Sequence, residues 1–222
     1  MGNKAITERN KDFAKWYTDI VLKSELVDYA PIKGFMVIRP YGYALWENIQ
    51  HVLDTKFKEL GHKNTYFPCL IPESLLNKEK DHVEGFAPEV AWVTHGGEKE
   101  LEERLCVRPT SETIICTMYA KWLHSYRDLP IRIAEIARDC RYETSGSLKG
   151  IERVRTFCQN DSHIFCTLEQ VGEEFANVVK LILGVYKDFG FENYSFRLSL
   201  RGKEKEKYLN ENIDELMIRK TS

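Results

Sequence analysis

The sequence predicts an α+β fold in which an antiparallel sheet is flanked by helices. The first observation is the recurrence of apolar residues at three- and four-residue steps in residues 43–60, 112–125 and 168–189, which is the spacing of amphipathic helices. The second is a pair of β-prone segments, residues 131–142 and 153–165, on either side of a polar stretch, which is typical of an antiparallel hairpin. Helices and hairpin strands thus mix along one chain, as in α+β proteins.

The first third of the chain predicts two helices and two strands. Apolar residues recur at helical steps in residues 12–27, and a short strand follows over residues 35–39. The amphipathic helix over residues 43–60 is followed by Gly61, a common helix stop. A strand over residues 64–68 comes next.

The rest of the chain continues the alternation of helices and strands. The predicted elements are, in order, a loop with a short hairpin over residues 77–101, a strand over 105–108, a helix over 112–125, the hairpin strands 131–142 and 153–165, a helix over 168–189 and a strand over 194–200. We expect residues 1–201 to form one core domain and residues 202–222 to form a charged tail.

Composition excludes several classes of protein. The hydrophobic fraction of 43% is ordinary for a globular chain, and the net charge of −2 lacks the strong basic balance of many nucleic-acid-binding domains. The six cysteines contain no CxxC pair, which is typical of reduced thiols in a cytosolic protein. No apolar run approaches the ~18 residues that indicate a membrane span. The sequence therefore predicts a cytoplasmic protein without a membrane partner.

The predicted hairpin places chemically useful side chains on one sheet face, because side chains alternate between faces along a strand. On the first strand, Arg141 and Glu143 share a face. The residues that share a face of the second strand are Arg155, Phe157, Gln159, Asp161 and His163. Arginine suits phosphate, an aromatic ring can stack on a base, and a carboxylate can accept from an exocyclic amine, so this face suits a nucleotide.

Arg141-x-Glu143, a polar loop and Arg153-x-x-x-Phe157 together resemble motif 2 of the class II aminoacyl-tRNA synthetases. The resemblance extends along the chain in two parts. The segments similar to prolyl-tRNA synthetases of the archaeal and eukaryotic type are residues 13–19, 36–43, 81–94 and Arg-Pro-Thr-Ser-Glu-Thr at 108–113. The segments similar to threonyl-tRNA synthetases are residues 125–132, 142–150, 153–155 and 161–167.

This resemblance implies a class II catalytic core, with motif 1 at about residues 43–68 and motif 2 at about 131–165. In that family motif 1 forms a dimer interface, so a homodimer is expected. The alternative is that this helix and strand simply belong to the core. No segment resembles motif 3, so we expect a core truncated before that motif, with poor activation of amino acids.

The resemblance also implies roles for the motif 2 residues. Arg141 would be catalytic, binding the α-phosphate of ATP and the substrate carboxylate, because a planar guanidinium binds both bidentately. Glu143 would bind the adenine amino group and Phe157 would stack on the ring. Arg153 would approach the outer phosphates, and Arg155 completes the expected ATP-binding set. The structural alternative is a cross-strand salt bridge on a solvated sheet face.

A second set of residues is expected to bind the amino acid together with Arg141. In prolyl-tRNA synthetases the residues that match Thr110 and Glu112 hold the substrate amino group. Thr110 could instead cap the following helix, and both roles can hold at once. Gln159, Asp161 and His163 belong to the same expected pocket, the first two matching threonyl pocket residues.

No protein-bound metal is expected in this pocket. In threonyl-tRNA synthetases the residue that matches His163 ligates zinc, but Glu112 here occupies the place of a cysteine ligand. His163 therefore remains the single candidate ligand, and a closed zinc site is not expected. The expected cofactors are ATP and the Mg²⁺ that accompanies it.

The sequence thus favours ATP-dependent amino-acid activation and ligation to tRNA, with proline preferred over threonine because Thr110 and Glu112 match the prolyl pattern. tRNA and the amino acid are the expected partners. The alternative is a non-catalytic synthetase paralogue or fragment that binds ATP or an amino acid, or dimerises, without turnover.

Overall fold

A computed structural model describes residues 5–80 and 89–196 of the chain. The helices in these residues are α1 (Phe13–Lys23), α2 (Pro40–Glu59), α3 (Glu73–Lys80), α4 (Glu112–Trp122) and α5 (Leu168–Asp188). The strands are β1 (Val27–Tyr29), β2 (Met36–Ile38), β3 (Lys63–Asn64), β4 (Leu70–Pro72), β5 (Ala91–Gly96), β6 (Lys99–Val107), β7 (Ile131–Cys140) and β8 (Thr156–Phe165). The predicted mixture of helices and antiparallel strands is confirmed.

The first two helices differ from prediction at their ends. Helix α1 begins after Asp12, whose side chain accepts from Lys15 N at 2.9 Å. It ends at Lys23 rather than residue 27, because Glu25 turns the chain with a φ of +62°. Helix α2 begins three residues earlier than predicted, since Pro40 occupies its first turn, where a missing N–H costs nothing.

The described strands form three sheets instead of the single sheet that was predicted. Strands β1 and β2 pair antiparallel, and β4, β6 and β5 form an antiparallel sheet in that order. The third sheet has the order β3-β7-β8. The predicted strand over 64–68 is reduced to β3, which pairs with β7 in a parallel register.

The predicted hairpin is formed by β7 and β8, which are neighbours in the third sheet. Arg141 follows the end of β7, and its backbone N–H donates to the carbonyl of Arg155, just before β8, at 2.8 Å. The strand ends nearest the connecting loop are thus joined, so β7 and β8 run in opposite directions.

A cluster of buried apolar side chains lies between β4, α3 and β6. It contains Ile71, Leu75, Leu76 and Cys106, against which Val90 and Ile114 pack. Ile115 of α4 is also fully buried. Burial of this kind supplies the main stabilisation of a globular fold.

The described residues divide into two compact units. The first contains the residues up to Ser125 together with Arg132–His163, and the second contains Tyr126–Ile131 and the residues from Ile164 onward. In the second unit, Thr167 N donates to Gln170 Oε1 at 2.9 Å in the first turn of α5.

The C-terminal predictions are only partly tested. Helix α5 matches the predicted helix to within one residue at its end. Residues 191–196 do not form the predicted strand, and residues 197–222, with the charged tail, lie outside the described residues. None of the described helices has both the length and the apolar character needed to cross a membrane.

Candidate functional site

One face of β7 and β8 brings together side chains that were predicted to share a face. The Arg141 guanidinium lies 5.3 Å from the centroid of the Phe157 ring. Further along, Gln159 Nε2 donates to Asp139 Oδ2 at 2.9 Å. Alternation continues the face on β8 to Asp161. We call this surface the site face.

The segment before α4 lies against the site face through two contacts. Arg141 Nε donates to the carbonyl of Pro109 at 3.2 Å. Ser111 occupies the N-cap position of α4, but its hydroxyl donates to Asp161 Oδ2 and makes no capping bond to the helix. The Thr110 hydroxyl donates to Glu112. The Pro109–Glu112 segment is therefore held over the sheet by side chains of both strands.

Glu112, Asp161 and His163 form a group whose candidate ligand atoms lie within 4.8 Å of one another, and such a group could hold a metal ion. His163 Nδ1 is buried, makes no hydrogen bond, and lies 3.8 Å from Asp161 Oδ2. From the sequence alone His163 is the single candidate ligand, and the structure adds the carboxylates of Glu112 and Asp161 to it. The same group of two carboxylates and one imidazole also suits a cationic amine.

The two residues expected at opposite ends of ATP contact each other. Arg153 donates from Nε and Nη2 to the two carboxylate oxygens of Glu143, at 2.6 and 3.0 Å. Both residues lie in the segment that connects β7 and β8, so the pair is a salt bridge within this loop and not the predicted cross-strand pair. The hydrogen bond from Arg153, reinforced by its charge, lowers the pKa of Glu143, which keeps this carboxylate ionised. Arg153 is largely exposed, so water also solvates the pair.

Arg155 occupies a different environment from the other expected ATP-binding residues. It is buried, and its guanidinium donates twice to the carbonyl of Glu143, at 3.0 and 2.9 Å, and once to that of Lys33, at 2.9 Å. The guanidinium also lies 3.9 Å from the centroid of the Tyr142 ring. Its backbone N–H bonds to Gly34, where an added Cβ would lie 2.9 Å from Arg155 Cδ. The hydrogen bonds of Arg155 therefore connect the motif 2 loop to the segment between β1 and β2.

A buried charged network that reaches the site face at Asp139 was not anticipated from the sequence. Arg108 is 2% exposed and donates from Nε to Asp139 Oδ1 and from Nη2 to Glu135 Oε2, each at 3.0 Å. Glu135 is 4% exposed and Asp139 is fully buried. Burial raises the pKa of Asp139 above its usual range, although the positive charge of Arg108 opposes this. Two carboxylates share one guanidinium here.

One signal in the sequence could have revealed this network. Glu135 and Asp139 occur four residues apart in a strand whose neighbours include Ile133, Ala134 and Ala137, so both carboxylates lie on one face of a largely buried strand. Charged residues are almost never fully buried unless they are paired. A cation reaching this face was therefore to be expected.

Comparisons with known proteins identify related tRNA synthetases. Residues 92–219, more than half of the chain, match the family described as tRNA synthetase class II core domain (G, H, P, S and T). Proline–tRNA ligase 2 of Clostridioides difficile (strain 630) is 60% identical over 182 residues, which are 82% of this chain and 37% of that protein. The proline–tRNA ligase of Clostridium novyi (strain NT) is 54% identical over 204 residues, 92% of this chain and 41% of that protein.

A solved structure is similar as well. Prolyl-tRNA synthetase from Cryptosporidium parvum, complexed with halofuginone and AMPPNP, superposes with a TM-score of 0.77 at 38% identity, covering 84% of this chain and 38% of that one. The chain thus spans about two fifths of the length of the curated relatives described above.

Proposed function

This chain belongs to the family of class II tRNA synthetase core domains, and we propose that it contributes the amino-acid-activating site of a proline–tRNA ligase. The observation that carries the proposal is the site face, where Arg141 contacts both the Phe157 ring and the Pro109 carbonyl. This places a guanidinium between an aromatic surface and the segment that contains Thr110 and Glu112. Adenylate formation needs a cation between a nucleotide and an amino acid.

On the nucleotide side, the proposed reaction is attack of the amino-acid carboxylate on the α-phosphate of ATP. An acyl–phosphate bond forms, the bond from the α-phosphorus to the α,β-bridging oxygen breaks, and pyrophosphate leaves. Arg141 binds both anions and stabilises the charge that develops on the phosphate. Phe157 stacks on adenine, Glu143 accepts from its amino group, and Arg153 turns from Glu143 toward the outer phosphates. Mg²⁺ enters with ATP, neutralising charge on its phosphates. We assign Arg155 to the support of the loop, since its guanidinium donates to the backbone carbonyls of Glu143 and Lys33.

On the amino-acid side, Glu112 and Asp161 bind the protonated amine of the substrate. Two carboxylates near one another favour a cation, and the Thr110 and Ser111 hydroxyls orient them. His163 completes the pocket beside Asp161. None of these residues is assigned to the recognition of a hydroxyl group on the substrate. The pocket therefore supports proline over threonine.

The relatives support the same choice of substrate. The match to proline–tRNA ligases extends over as many as 204 residues and thus includes the motif 2 region, although that region contains the segments similar to threonyl-tRNA synthetases. We therefore propose proline as the substrate and the corresponding tRNA as the acceptor.

We also propose that the chain dimerises through the motif 1 region. Large apolar side chains are exposed on α2 and on the neighbouring β2, including Tyr41, Leu45, Val52 and Ile38. An exposed apolar patch of this kind is typical of an interaction surface. Residues 1–201 as the core domain, residues 202–222 as a tail and a cytoplasmic location remain predictions from the sequence.

The proposal is tested by ATP–pyrophosphate exchange with proline, threonine, serine and alanine in turn. We expect exchange with proline and its loss in Arg141→Ala. Arg138→Ala is the matched control, because Arg138 is an exposed arginine of β7, three residues before Arg141, with its side chain on the opposite face. Its exchange rate should equal that of the parent chain.

The other outcomes are equally informative. Exchange with threonine instead of proline would overturn the substrate assignment. Exchange that survives in Arg141→Ala would overturn the role of that residue. A chain that is stabilised by ATP against thermal unfolding but exchanges with no amino acid would be the non-catalytic binder.

A further inference from the structure

We propose that Asp139 is a positioning residue that fixes the orientation of the Gln159 side-chain amide, so that the Gln159 carbonyl oxygen faces the amino-acid pocket. This inference rests on the proposed function, since it concerns the pocket for the substrate amine. It adds to that pocket an orienting group that does not itself touch the substrate.

Asp139 acts as an acceptor at both of its oxygens. It is fully buried, and Oδ1 accepts from Arg108 Nε at 3.0 Å, while Arg108 is itself almost completely buried. A guanidinium has only donors, so its partner must accept. The second oxygen, Oδ2, lies 2.9 Å from the amide of Gln159.

This geometry leaves one orientation for the Gln159 amide. With Asp139 ionised beside the Arg108 guanidinium, the Nε2 group must face Asp139, because the reverse orientation would bring a carbonyl oxygen against a carboxylate oxygen, two acceptors without a proton between them. The Gln159 Oε1 atom is then directed away from Asp139. Within the described residues no hydrogen bond to Oε1 is formed, so this oxygen remains able to accept from a ligand.

The orientation of the Gln159 amide matters because two carboxylates lie close to it at the site face. Asp161 is two residues along β8 on the same side, and Glu112 lies close to it. A protonated ring amine offers two N–H donors. With Oε1 outward, Gln159 adds a third acceptor to the two carboxylates, whereas an outward NH₂ group would place a donor beside a cation.

An isosteric substitution can reverse the orientation without removing the network. In Asp139→Asn, Oδ1 can still accept from Arg108, but the new NH₂ group faces Gln159. The amide must then turn to present Oε1 to Asn and Nε2 to the pocket. The double variant Asp139→Asn/Gln159→Glu restores the acceptor, because one glutamate oxygen accepts from Asn and the other faces the pocket.

Glu135→Gln is the matched control. Glu135 binds the same guanidinium at the same distance and is almost equally buried, but its other oxygen accepts from Phe67 N at 2.7 Å and does not contact Gln159. The Glu135→Gln variant therefore loses one buried negative charge, as Asp139→Asn does, while the orientation of the Gln159 amide is unchanged.

The experiment measures binding to the full chain of two probes by calorimetry. One is the sulfamoyl analogue of prolyl-adenylate, and the other is its counterpart with oxygen in place of the ring nitrogen. We expect the parent chain and Glu135→Gln to prefer the nitrogen probe equally. Asp139→Asn should lose about tenfold or more of that preference, as expected for a hydrogen bond to a charged group. The double variant should regain most of it.

Each remaining outcome overturns the inference. If the parent chain prefers the nitrogen probe but Asp139→Asn does so equally, Asp139 does not orient the pocket and the proposed function stands. If both single variants lose the preference equally and the double variant does not recover it, the network has only a structural role. If the parent chain binds neither probe, the proposed function fails together with this inference.

Discussion

Removing the Arg108 side chain tests the buried network most directly. In Arg108→Met the apolar stem is replaced by one of similar length, but the two hydrogen bonds of 3.0 Å to Glu135 and Asp139 are lost. Both carboxylates then remain buried without a cation. Breaking a buried pair in this way costs about 3–5 kcal/mol of unfolding free energy, because the remaining charge is uncompensated.

The assay is urea denaturation followed by circular dichroism at neutral and at acidic pH. Burial raises the pKa of Asp139 in the parent chain against the opposing charge of Arg108, so the loss of Arg108 raises this pKa further above its unfolded value. A group of this kind destabilises the folded state at any pH above its folded pKa, and this effect fades as the pH falls toward the unfolded pKa. The loss in Arg108→Met should therefore be largest at neutral pH and smaller at acidic pH.

Arg104→Met is the matched control for this experiment. Arg104 donates from Nε to Glu73 at 2.9 Å, so it makes a similar pair, but its side chain is 50% exposed. Water replaces the lost partner at the surface, and the loss should be a small fraction of that for Arg108→Met. Equal losses in the two variants would refute the argument that burial makes the Arg108 network costly to break.

Three further predictions concern packing and assembly. Gly42→Ala should lower the unfolding free energy by about 1–3 kcal/mol, since the added Cβ would lie 2.2 Å from the backbone oxygen of Leu26. Gly172→Ala should raise the unfolding free energy by up to about 1 kcal/mol, because a Cβ added there meets open space in a helix. Thermal melts distinguish the two signs. Ile115→Ala should cost about 2–5 kcal/mol in urea denaturation, as for a fully buried side chain. Leu45→Asp should shift the proposed dimer to monomer in sedimentation velocity, and a chain with an unchanged sedimentation coefficient would place the interface elsewhere.

The long elements could be predicted because their signals are local. The period of apolar residues identifies α2, α4 and α5, and it depends only on neighbouring residues. The short strand β3 could not be bounded in the same way. It pairs with β7, and Thr65 N continues the contact by donating to the carbonyl of Ala134, 69 positions along the chain. A pairing between distant segments leaves no trace in the local pattern.

The site face was predictable for the same reason, whereas its support was not. Alternation along β8 was enough to place Phe157, Gln159 and Asp161 on one side. The contacts of Arg155 with the carbonyls of Lys33 and Glu143 depend on the path of two loops, and side-chain type alone does not reveal that path. An arginine near a proposed phosphate site is therefore easily assigned to the ligand.

The buried charges of Arg108, Glu135 and Asp139 are better explained by the hydrogen-bond directions that they fix than by a contribution to the free energy of unfolding. Replacing a whole buried ion network by apolar side chains is often neutral or stabilising, so stability alone does not account for it. An apolar cluster has no preferred hydrogen-bond direction. The charged network fixes a hydrogen-bond direction at each of its ends, since Glu135 accepts from Phe67 N and Asp139 accepts from Gln159.

If the network serves mainly to orient Gln159, its effect on the free energy of unfolding and its effect on the preference for the nitrogen probe can be separated. The triple variant Arg108→Met/Glu135→Leu/Asp139→Leu should unfold at the same urea concentration as the parent chain or at a higher one, because no charge of this network remains buried. Its preference for the nitrogen probe should nevertheless fall as in Asp139→Asn, since nothing then orients the Gln159 amide. A triple variant that keeps the full preference would show that the pocket is oriented by other contacts, whatever its stability.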